Sequence, residues 1–207
     1  MVAIIDYGVG NLFSLKSSLS FIDVQAVVTA DPGVIAEASH IILPGVGAFP
    51  DAAAKLRATG LIDTIKAEVA AGKPLLGICL GMQMLCTLSH EYGVCDGLDF
   101  IPGEVVDMTP ELPDGLKVPH IGWNALKFMG EKSELYKYIN EGDCVYFIHS
   151  FYAKAEPQCV SATTEYGIEL TASIERGNVY GTQFHPEKSG KVGLDILRAF
   201  CEIGGIA

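Results

Sequence analysis

The segment from Lys73 to Gln83, K-P-L-L-G-I-C-L-G-M-Q, constrains the fold of this chain more than any other. An apolar run predicts a buried strand, and Cys79 follows it with a glycine two residues away on either side. Such glycines permit a strand-to-helix turn that leaves no room for a Cβ on its flanks. The next residues, M-Q-M-L-C-T-L, are predicted to be helical. The segment therefore predicts a strand, a sharp turn and a helix.

A cysteine in such a turn is either a nucleophile or a buried structural thiol. The pattern matches the nucleophile elbow G-x-S-x-G, with Cys79 in the place of serine. The positive end of the following helix also favours a thiolate. Free cysteine is, however, among the most buried residue types. The segment alone leaves both interpretations open.

Composition narrows the class of protein. The net charge of −11 over 207 residues argues against binding to nucleic acid or to an anionic membrane surface. No apolar run approaches the roughly 18 residues of a membrane span, and no basic region precedes the short N-terminal apolar stretch, as a signal peptide would require. The six cysteines are scattered without a C-x-x-C pair, which predicts neither a disulfide framework nor a zinc site. We expect a cytoplasmic protein without metal or cofactor.

The first half of the chain alternates predicted strands and helices. Strands are predicted at V-A-I-I-D, D-V-Q-A-V-V-T, H-I-I-L-P-G-V-G and P-L-L-G-I, and helices over 12–22 and, with a break at Gly60, over 50–71. This alternation favours a parallel sheet covered on both faces, which binds ligands beyond the carboxyl ends of its strands. We therefore expect Tyr7 to Asn11, Pro44 to Gly47, and Cys79 to gather on one rim.

The second half is predicted to extend this sheet with antiparallel strands. The strands are V-Y-F-I-H-S-F, Q-C-V-S-A-T-T, E-L-T-A-S-I and N-V-Y-G-T-Q-F-H, and E-K-S-G-K-V-G-L-D-I-L-R-A-F forms a closing helix. No repeat, linker or low-complexity stretch interrupts the chain. We expect a single domain over residues 1–207.

A cysteine nucleophile needs a base, and the base needs an orienting group. Of the five histidines, His185 stands out in Q-F-H-P-E-K, because Pro186 favours an extended His185 and places Glu187 on the same side. Gly45 and Gly47, in P-G-V-G after a strand, would let backbone N–H groups approach a developing oxyanion. Gln83 lies one helical turn after Cys79 and can present its amide to a substrate. Each feature alone fits a surface turn or an exposed polar residue.

Together, G-I-C-L-G-M-Q and H-P-E resemble the class I (triad) glutamine amidotransferase family. Five segments, I-D-Y-G-V-G-N-L, L-P-G-V-G-A-F, P-H-I-G-W-N, Y-F-I-H-S-F and T-Q-F-H-P-E-K-S, resemble more narrowly the glutaminase subunits of imidazole glycerol phosphate synthase. The resemblance spans nearly the whole chain. It implies an α/β, single-domain, flavodoxin-like class I glutamine amidotransferase fold, with a mostly parallel central sheet flanked by helices and an antiparallel extension.

The resemblance also implies a role for each matching residue. Cys79 would attack the γ-carboxamide of glutamine, His185 would relay the proton, and Glu187 would orient His185. The oxyanion hole and glutamine site would be formed by Gly45, Val46, Gly47, Leu80, Gln83, Glu91, His149, Ser150 and Phe151. Glu91 suits the substrate α-ammonium by charge, and backbone N–H groups near Ser150 suit its carboxylate. Phe151 departs from related sequences, which often carry tyrosine there.

A partner is implied as well. In the family, ammonia passes to a separate (β/α)8 cyclase subunit, which joins it to a phosphoribulosyl intermediate in histidine biosynthesis, yielding imidazole glycerol phosphate and aminoimidazole carboxamide ribotide. The implied heterodimer interface includes Asn11, Trp123, Asn124 and Lys188. The glutaminase of this family idles until the cyclase binds its substrate. Our hypothesis is that the Val46 backbone, flanked by two glycines, reorients to complete the oxyanion hole.

Three alternatives remain from the sequence. A glutaminase serving another synthase would lack Y-G-V-G-N and G-W-N. A cysteine hydrolase or peptidase on a related sheet would not need Gln83 or Glu91. An inactive binding module would not need an intact Cys79, His185 and Glu187.

Overall fold

The computed structural model describes residues 1–204. Within them, the helices are α1 Leu12–Phe21, α2 Pro32–Glu37, α3 Phe49–Thr59, α4 Ile62–Ala70, α5 Leu80–Met84 and α6 Gly190–Glu202. The strands are β1 Val2–Ile5, β2 Ala26–Thr29, β3 His40–Leu43, β4 Leu75–Ile78, β5 Cys86–Ser89, β6 Cys95–Asp96, β7 Ile101–Asp107, β8 His120–Ala125, β9 Lys127–Phe128, β10 Cys144–His149, β11 Phe151–Ala155, β12 Val160–Glu165, β13 Glu169–Arg176 and β14 Val179–Thr182. No helix in this part of the chain is long and apolar enough to cross a membrane.

The main sheet has eight strands in the order β2-β1-β3-β4-β14-β13-β12-β9. The pairs of β1 with β2 and β3, and of β4 with β3 and β14, are parallel. Alternate residues of β1 enter two different cores: Ala3 and Ile5 pack with α3 and α4, whereas Val2 and Ile4 pack with α1 and α6. The prediction of a parallel sheet covered on both faces is confirmed, since every residue of β1, β3 and β4 is buried.

The predicted antiparallel extension is correct only in part. Strands β13 and β12 do extend the sheet in antiparallel fashion, but β14 runs parallel to β4. The predicted strand V-Y-F-I-H-S-F is divided at Ser150. Its first part is β10, which pairs with β8, and its second begins β11, which pairs with β7 in a separate four-stranded sheet. The break turns the chain between two sheets, and it places Ser150 at the junction.

The predicted helix M-Q-M-L-C-T-L is wrong in its second half. Helix α5 ends at Met84, and Cys86–Ser89 forms β5, which pairs with β6 and β7. Gly97 packs directly against the Cys86 carbonyl, where a Cβ would overlap that oxygen. Tertiary pairing of this kind outweighs the local helical preference, and it was not visible in the sequence pattern.

The predicted tight turn at Cys79 is present. A Cβ on Gly81 would overlap the Leu43 carbonyl oxygen, and one on Gly77 would lie 2.7 Å from the Gly81 carbonyl oxygen. Cys79 itself has φ 55° and ψ −110°, a conformation that costs a non-glycine residue roughly 1–3 kcal/mol. Its N–H donates to the Thr182 carbonyl oxygen at 2.7 Å, which ties the turn to β14. Neighbouring backbone therefore holds the turn in place, and its cysteine lines a cavity.

Candidate active site

The segments that follow β1, β3 and β4 meet on one rim, as predicted. The Tyr7 hydroxyl donates to the Pro44 carbonyl oxygen at 2.6 Å. A Cβ on Gly45 would lie 2.8 Å from the Gly81 nitrogen and 2.9 Å from the Tyr7 hydroxyl. Glycine at position 45 thus lets the P-G-V-G turn pack against the elbow of Cys79. We predicted Tyr7 on this rim from the sequence, but we did not predict its hydrogen bond to Pro44.

A cavity of about 390 Å³ opens beside the thiol. Every residue that we predicted for catalysis or glutamine binding lines this cavity, except Gly45 and Glu187. Those two residues line a smaller cleft together with Asn11. Tyr92, Pro119 and Ile148 also line it and were not predicted. Among residues 1–204, no three His, Cys, Asp or Glu side chains are grouped so that they could hold a metal ion.

His185 lies between Cys79 and Glu187. Its Nδ1 is 2.8 Å from Glu187 Oε1, and His185 and Cys79 line the same cavity. The side chains of His185 and Glu187 are only 2% and 4% exposed. The predicted contact is present, but not by the predicted backbone: His185 is extended, whereas Glu187 lies in a 3-10 turn, Pro186–Lys188. The proline begins that turn and so still determines the contact.

The protonation of His185 follows from this environment. Burial disfavours the imidazolium, but the interactions of His185 with Cys79 and Glu187 and their charges outweigh burial and raise the pKa of His185 to about 9. At neutral pH the ring is therefore protonated and faces Cys79 Sγ. When the imidazole carries the proton of the cysteine, the sulfur can attack a carbonyl and the imidazolium can pass that proton to the leaving group.

Gln183 is a site residue that the sequence reasoning missed. Its side chain is fully buried, and its Nε2 lies 3.7 Å from Cys79 Sγ. Its Oε1 accepts a hydrogen bond of 3.0 Å from Gln83 Nε2. The alternation of side chains in T-Q-F-H-P-E was the available signal, because it places Gln183 and His185 on the same side.

The amide nitrogen of Gln83 makes two hydrogen bonds in the cavity wall. Besides the bond to Gln183, its Nε2 donates to the Phe151 carbonyl oxygen at 2.9 Å. Both amide hydrogens are thereby used, and Oε1 is the atom that Gln83 can offer to a ligand. Gln83 thus couples Phe151, in the opposite wall of the cavity, to the residue that contacts the thiol.

Glu91 brings a buried carboxylate into the cavity wall. Its Oε2 accepts a hydrogen bond of 2.8 Å from the Phe49 N–H. Burial raises the pKa of Glu91, the Phe49 bond opposes this effect, and the charge of Asp51 adds to it. A cationic group in the cavity would stabilise the carboxylate, so the wall favours an ammonium ligand at this end.

His149 holds the cavity wall rather than taking part in proton transfer. Burial lowers its pKa to about 3, although a bond to the Phe151 carbonyl opposes this change. That bond, from Nδ1, measures 2.9 Å, and Nε2 lies 3.0 Å from Nδ1 of His120. The neutral ring therefore binds backbone on one side and a second imidazole on the other. His120, which lies in the quoted P-H-I-G-W-N segment, was not singled out by the sequence.

The predicted interface residues divide into two groups. Trp123 is 54% exposed and lies cross-strand from Tyr146, next to the exposed pair of Ile121 and Ile148. Lys188 Nζ lies 5.9 Å from the centre of the Tyr146 ring. Asn124, in contrast, points inward and bonds His120 and the Glu165 carbonyl. We call the outward-facing side chains of Ile121, Trp123, Tyr146 and Ile148 the β8–β10 surface.

Comparisons with known proteins identify the family of this chain. The family model of class-I glutamine amidotransferases matches residues 3–202. The "Imidazole glycerol phosphate synthase subunit HisH" of Moorella thermoacetica is 49% identical over 203 residues, which cover 98% of this chain and 94% of the relative. The HisH subunit of Methanothermobacter thermautotrophicus is also 49% identical over 203 residues, covering 98% of both.

Solved structures show the same fold at lower identity. A crystal structure of a glutamine amidotransferase aligns with a TM-score of 0.75 and 19% identity, over 98% of both chains. PurLQS from Thermotoga maritima aligns with a TM-score of 0.73 and 18% identity, over 97% of this chain and 96% of that one. The sequence relatives carry the finer assignment: this chain belongs to the class-I glutamine amidotransferases and, within them, to the HisH subunits of imidazole glycerol phosphate synthase, the glutaminase of an enzyme in histidine biosynthesis.

Proposed function

We propose that a single glutamine amidotransferase domain hydrolyses L-glutamine to glutamate and ammonia through a thioester on Cys79. The observation that carries this proposal is the buried arrangement in which Cys79 and His185 line a cavity of about 390 Å³ and Glu187 contacts His185. A buried carboxylate that orients an imidazole able to take the cysteine proton is the arrangement that acyl transfer by a cysteine requires.

The steps follow from the atoms at the site. His185 takes the proton of the Cys79 thiol, the Cys79 sulfur bonds to the carboxamide carbon of glutamine, and the carbonyl electrons move onto oxygen. His185 then gives its proton to the nitrogen as the C–N bond breaks, and ammonia leaves. Water, deprotonated by His185, attacks the thioester, so glutamate and the thiol are released. The oxyanion would be met by the Leu80 N–H, which is in the first turn of α5 and has no acceptor within the helix, and by a Val46 or Gly47 N–H.

The cavity walls support glutamine as the substrate. Glu91 would take the α-ammonium, and the backbone at Ser150 and Phe151 would take the α-carboxylate. Gln83 Oε1 would accept from the carboxamide N–H₂, because both of its own hydrogens are already used. The departure at Phe151 costs little in this arrangement, since its carbonyl oxygen makes the contacts found here.

We further propose that the ammonia passes to a cyclase subunit in a heterodimer. That subunit would use it to make imidazole glycerol phosphate and aminoimidazole carboxamide ribotide from a phosphoribulosyl intermediate. The β8–β10 surface supports a docking face, because Ile121 and Trp123 are more than half exposed although both are apolar. Lys188 lies beside Tyr146 of this surface, Asn11 lies in the smaller cleft with Glu187, and both would contribute to the contact.

The test measures glutamate released from glutamine by the chain alone, with the cyclase subunit, and with the cyclase subunit and its ligand. We expect turnover that rises when the cyclase and its ligand are both present. Absence of turnover under every condition would exclude the glutaminase proposal. Turnover that ignores the cyclase would exclude the proposed partner and leave the glutaminase intact.

Gly47→Ala tests whether the backbone at Val46 must reorient. Gly47 has φ +99° and open space where a Cβ would lie, so alanine would act through backbone conformation rather than by collision. We expect stimulation by the liganded cyclase to fall about tenfold, since an L-residue in this region costs about 1–2 kcal/mol. Gly72→Ala is the matched control, because Gly72 has φ +98°, equally open space and a position far from the cavity. Unchanged stimulation in Gly47→Ala would count against the hypothesis.

A further inference from the structure

A continuous series of close polar contacts leads from the strand that carries Trp123 to the candidate nucleophile. Asn124 Oδ1 is 2.8 Å from His120 Nε2, and His120 Nδ1 is 3.0 Å from His149 Nε2. The other ring nitrogen of His149 reaches the Phe151 carbonyl oxygen at 2.9 Å. From there Gln83 continues to Gln183, whose amide contacts Cys79 Sγ.

His120 is a buried link in this series and does not line the cavity. It is completely buried, and its ring stacks on Tyr166 at 4.1 Å and on Phe147 at 5.0 Å between centres. A buried imidazole needs a polar partner on each nitrogen, so the identity of these partners determines which nitrogen of His120 carries its proton. Its partners, His149 and Asn124, belong to β10 and to β8, respectively.

Counting protons fixes the direction of the bonds. Burial lowers the pKa of both His120 and His149, so the two rings are neutral and carry one N–H each. The Phe151 carbonyl only accepts, so His149 must donate from Nδ1 and accept at Nε2. His120 must then donate from Nδ1, which leaves its Nε2 as an acceptor.

Because His120 Nε2 is an acceptor, it needs a donor, and Asn124 is the residue that faces it. In the structure, Asn124 turns Oδ1 to His120 and gives Nδ2 to the Glu165 carbonyl at 2.9 Å. Nε2 of a neutral His120 accepts a hydrogen bond when the Asn124 amide flips and donates from Nδ2. The hydrogen bond from Nδ2 to the Glu165 carbonyl is then lost. The amide of Asn124 can turn about its last torsion, so the series adjusts at its outer end.

We propose that His120 is a positioning residue for the glutaminase reaction: its Nδ1–H holds His149, which holds the Phe151 carbonyl and through it the Gln83–Gln183 pair beside Cys79. This inference rests on the proposed function. His120 touches neither glutamine nor the thiol, and its effect is transmitted through the orientation of groups that do. Loss of the His120–His149 bond would free His149 to donate from Nε2 and would release the Phe151 carbonyl.

Two substitutions of His120 separate this role from packing. Asparagine places its amide near the position of Nδ1 and keeps a donor toward His149, whereas glutamine places its amide near Nε2 and keeps only the contact with Asn124. In the complex with the cyclase and its ligand, we expect His120→Asn to keep KM for glutamine and kcat within about twofold of wild type. We expect His120→Gln to raise KM or lower kcat so that kcat/KM falls about five- to tenfold, the effect of one lost hydrogen bond.

Thermal unfolding of both variants supplies the comparison with a structural role. If His120 only packs, kcat/KM will follow the loss of stability, and equal or reversed effects of the two substitutions overturn the inference. A measurement on the wild-type chain needs no variant: ¹⁵N spectra of the imidazoles should show His120 and His149 both protonated on Nδ1, and an Nε2 proton on His149 overturns the proposal. Failure of the wild-type complex to release glutamate would instead contradict the proposed function.

Discussion

Cys79→Ala is expected to lower the glutaminase rate of the complex by a factor on the order of 10⁵ to 10⁶, the usual cost of removing a nucleophile from a triad. The substitution removes one sulfur atom and keeps the Cβ, so the backbone at φ 55° is not relieved or further strained. The fold and the glutamine site should therefore persist. Glutamate release measures the loss, and thermal unfolding checks the fold.

Two controls make the Cys79 result specific. Free ammonium should still support synthesis by the complex of the Cys79→Ala chain with its cyclase, because ammonia then bypasses the thiol. Cys159→Ala should keep glutaminase activity within about twofold, as expected for a residue away from the site. Burial raises the pKa of the Cys159 thiol, and that residue lies far from the cavity walls. Residual glutamine turnover in Cys79→Ala near the wild-type rate would show that another group attacks the substrate.

The rim of the parallel sheet was predictable because it depends on a rule of topology. Strands β1, β3 and β4 each end in a segment of the site, and parallel strands bring their carboxyl ends together. The sequence therefore placed Tyr7, Pro44 and Cys79 on one edge before any contact was known. The contact between His185 and Glu187 was also predicted, although a 3-10 turn rather than a strand produces it.

The cavity residues at the junction of β10 and β11 were harder to predict from the hydrophobic pattern of the sequence. Ser150 lies where the chain leaves β10 and enters β11 in another sheet, and the continuous apolar pattern of V-Y-F-I-H-S-F hides that break. Strand β5 is concealed in the same way, since C-T-L-S continues a helical pattern but pairs with β6 and β7. In both places, long-range strand pairing decides the structure, and local periodicity carries no information about it.

The hydrogen bonds between buried polar side chains could not be predicted from the sequence for a related reason. Gln183 and His120 become informative only when their partners are known, because a buried amide or imidazole must find donors and acceptors. Their partners come from 100 and 29 residues away in the chain. The resemblance identified the segments that contain them, but it assigned no role to either residue.

Glu187→Gln is expected to lower kcat of the complex by about 10² to 10⁴, within the range found when the orienting carboxylate of a triad becomes an amide. The substitution keeps the size of the side chain and removes its charge. Glu187 Oε1 accepts from His185 Nδ1, and Oε2 is buried with no hydrogen-bond partner among the described residues. An amide there either turns its N–H₂ toward the imidazole or buries it without an acceptor, and both arrangements disfavour the imidazolium.

The pH profile distinguishes this electrostatic role from simple loss of packing. Interactions with Cys79 and Glu187 raise the pKa of His185 to about 9 against the effect of burial. Wild-type kcat/KM should therefore fall as the pH rises through that value, because the imidazolium loses the proton that the leaving ammonia needs. Removing the carboxylate lowers the pKa of His185, and the alkaline limb should move to lower pH. Glu104→Gln is the matched control, because Glu104 Oε2 lies 2.7 Å from His90 Nε2 in an exposed pair that contributes little. A reduced kcat with an unmoved alkaline limb would mean that Glu187 orients His185 without stabilising its charge.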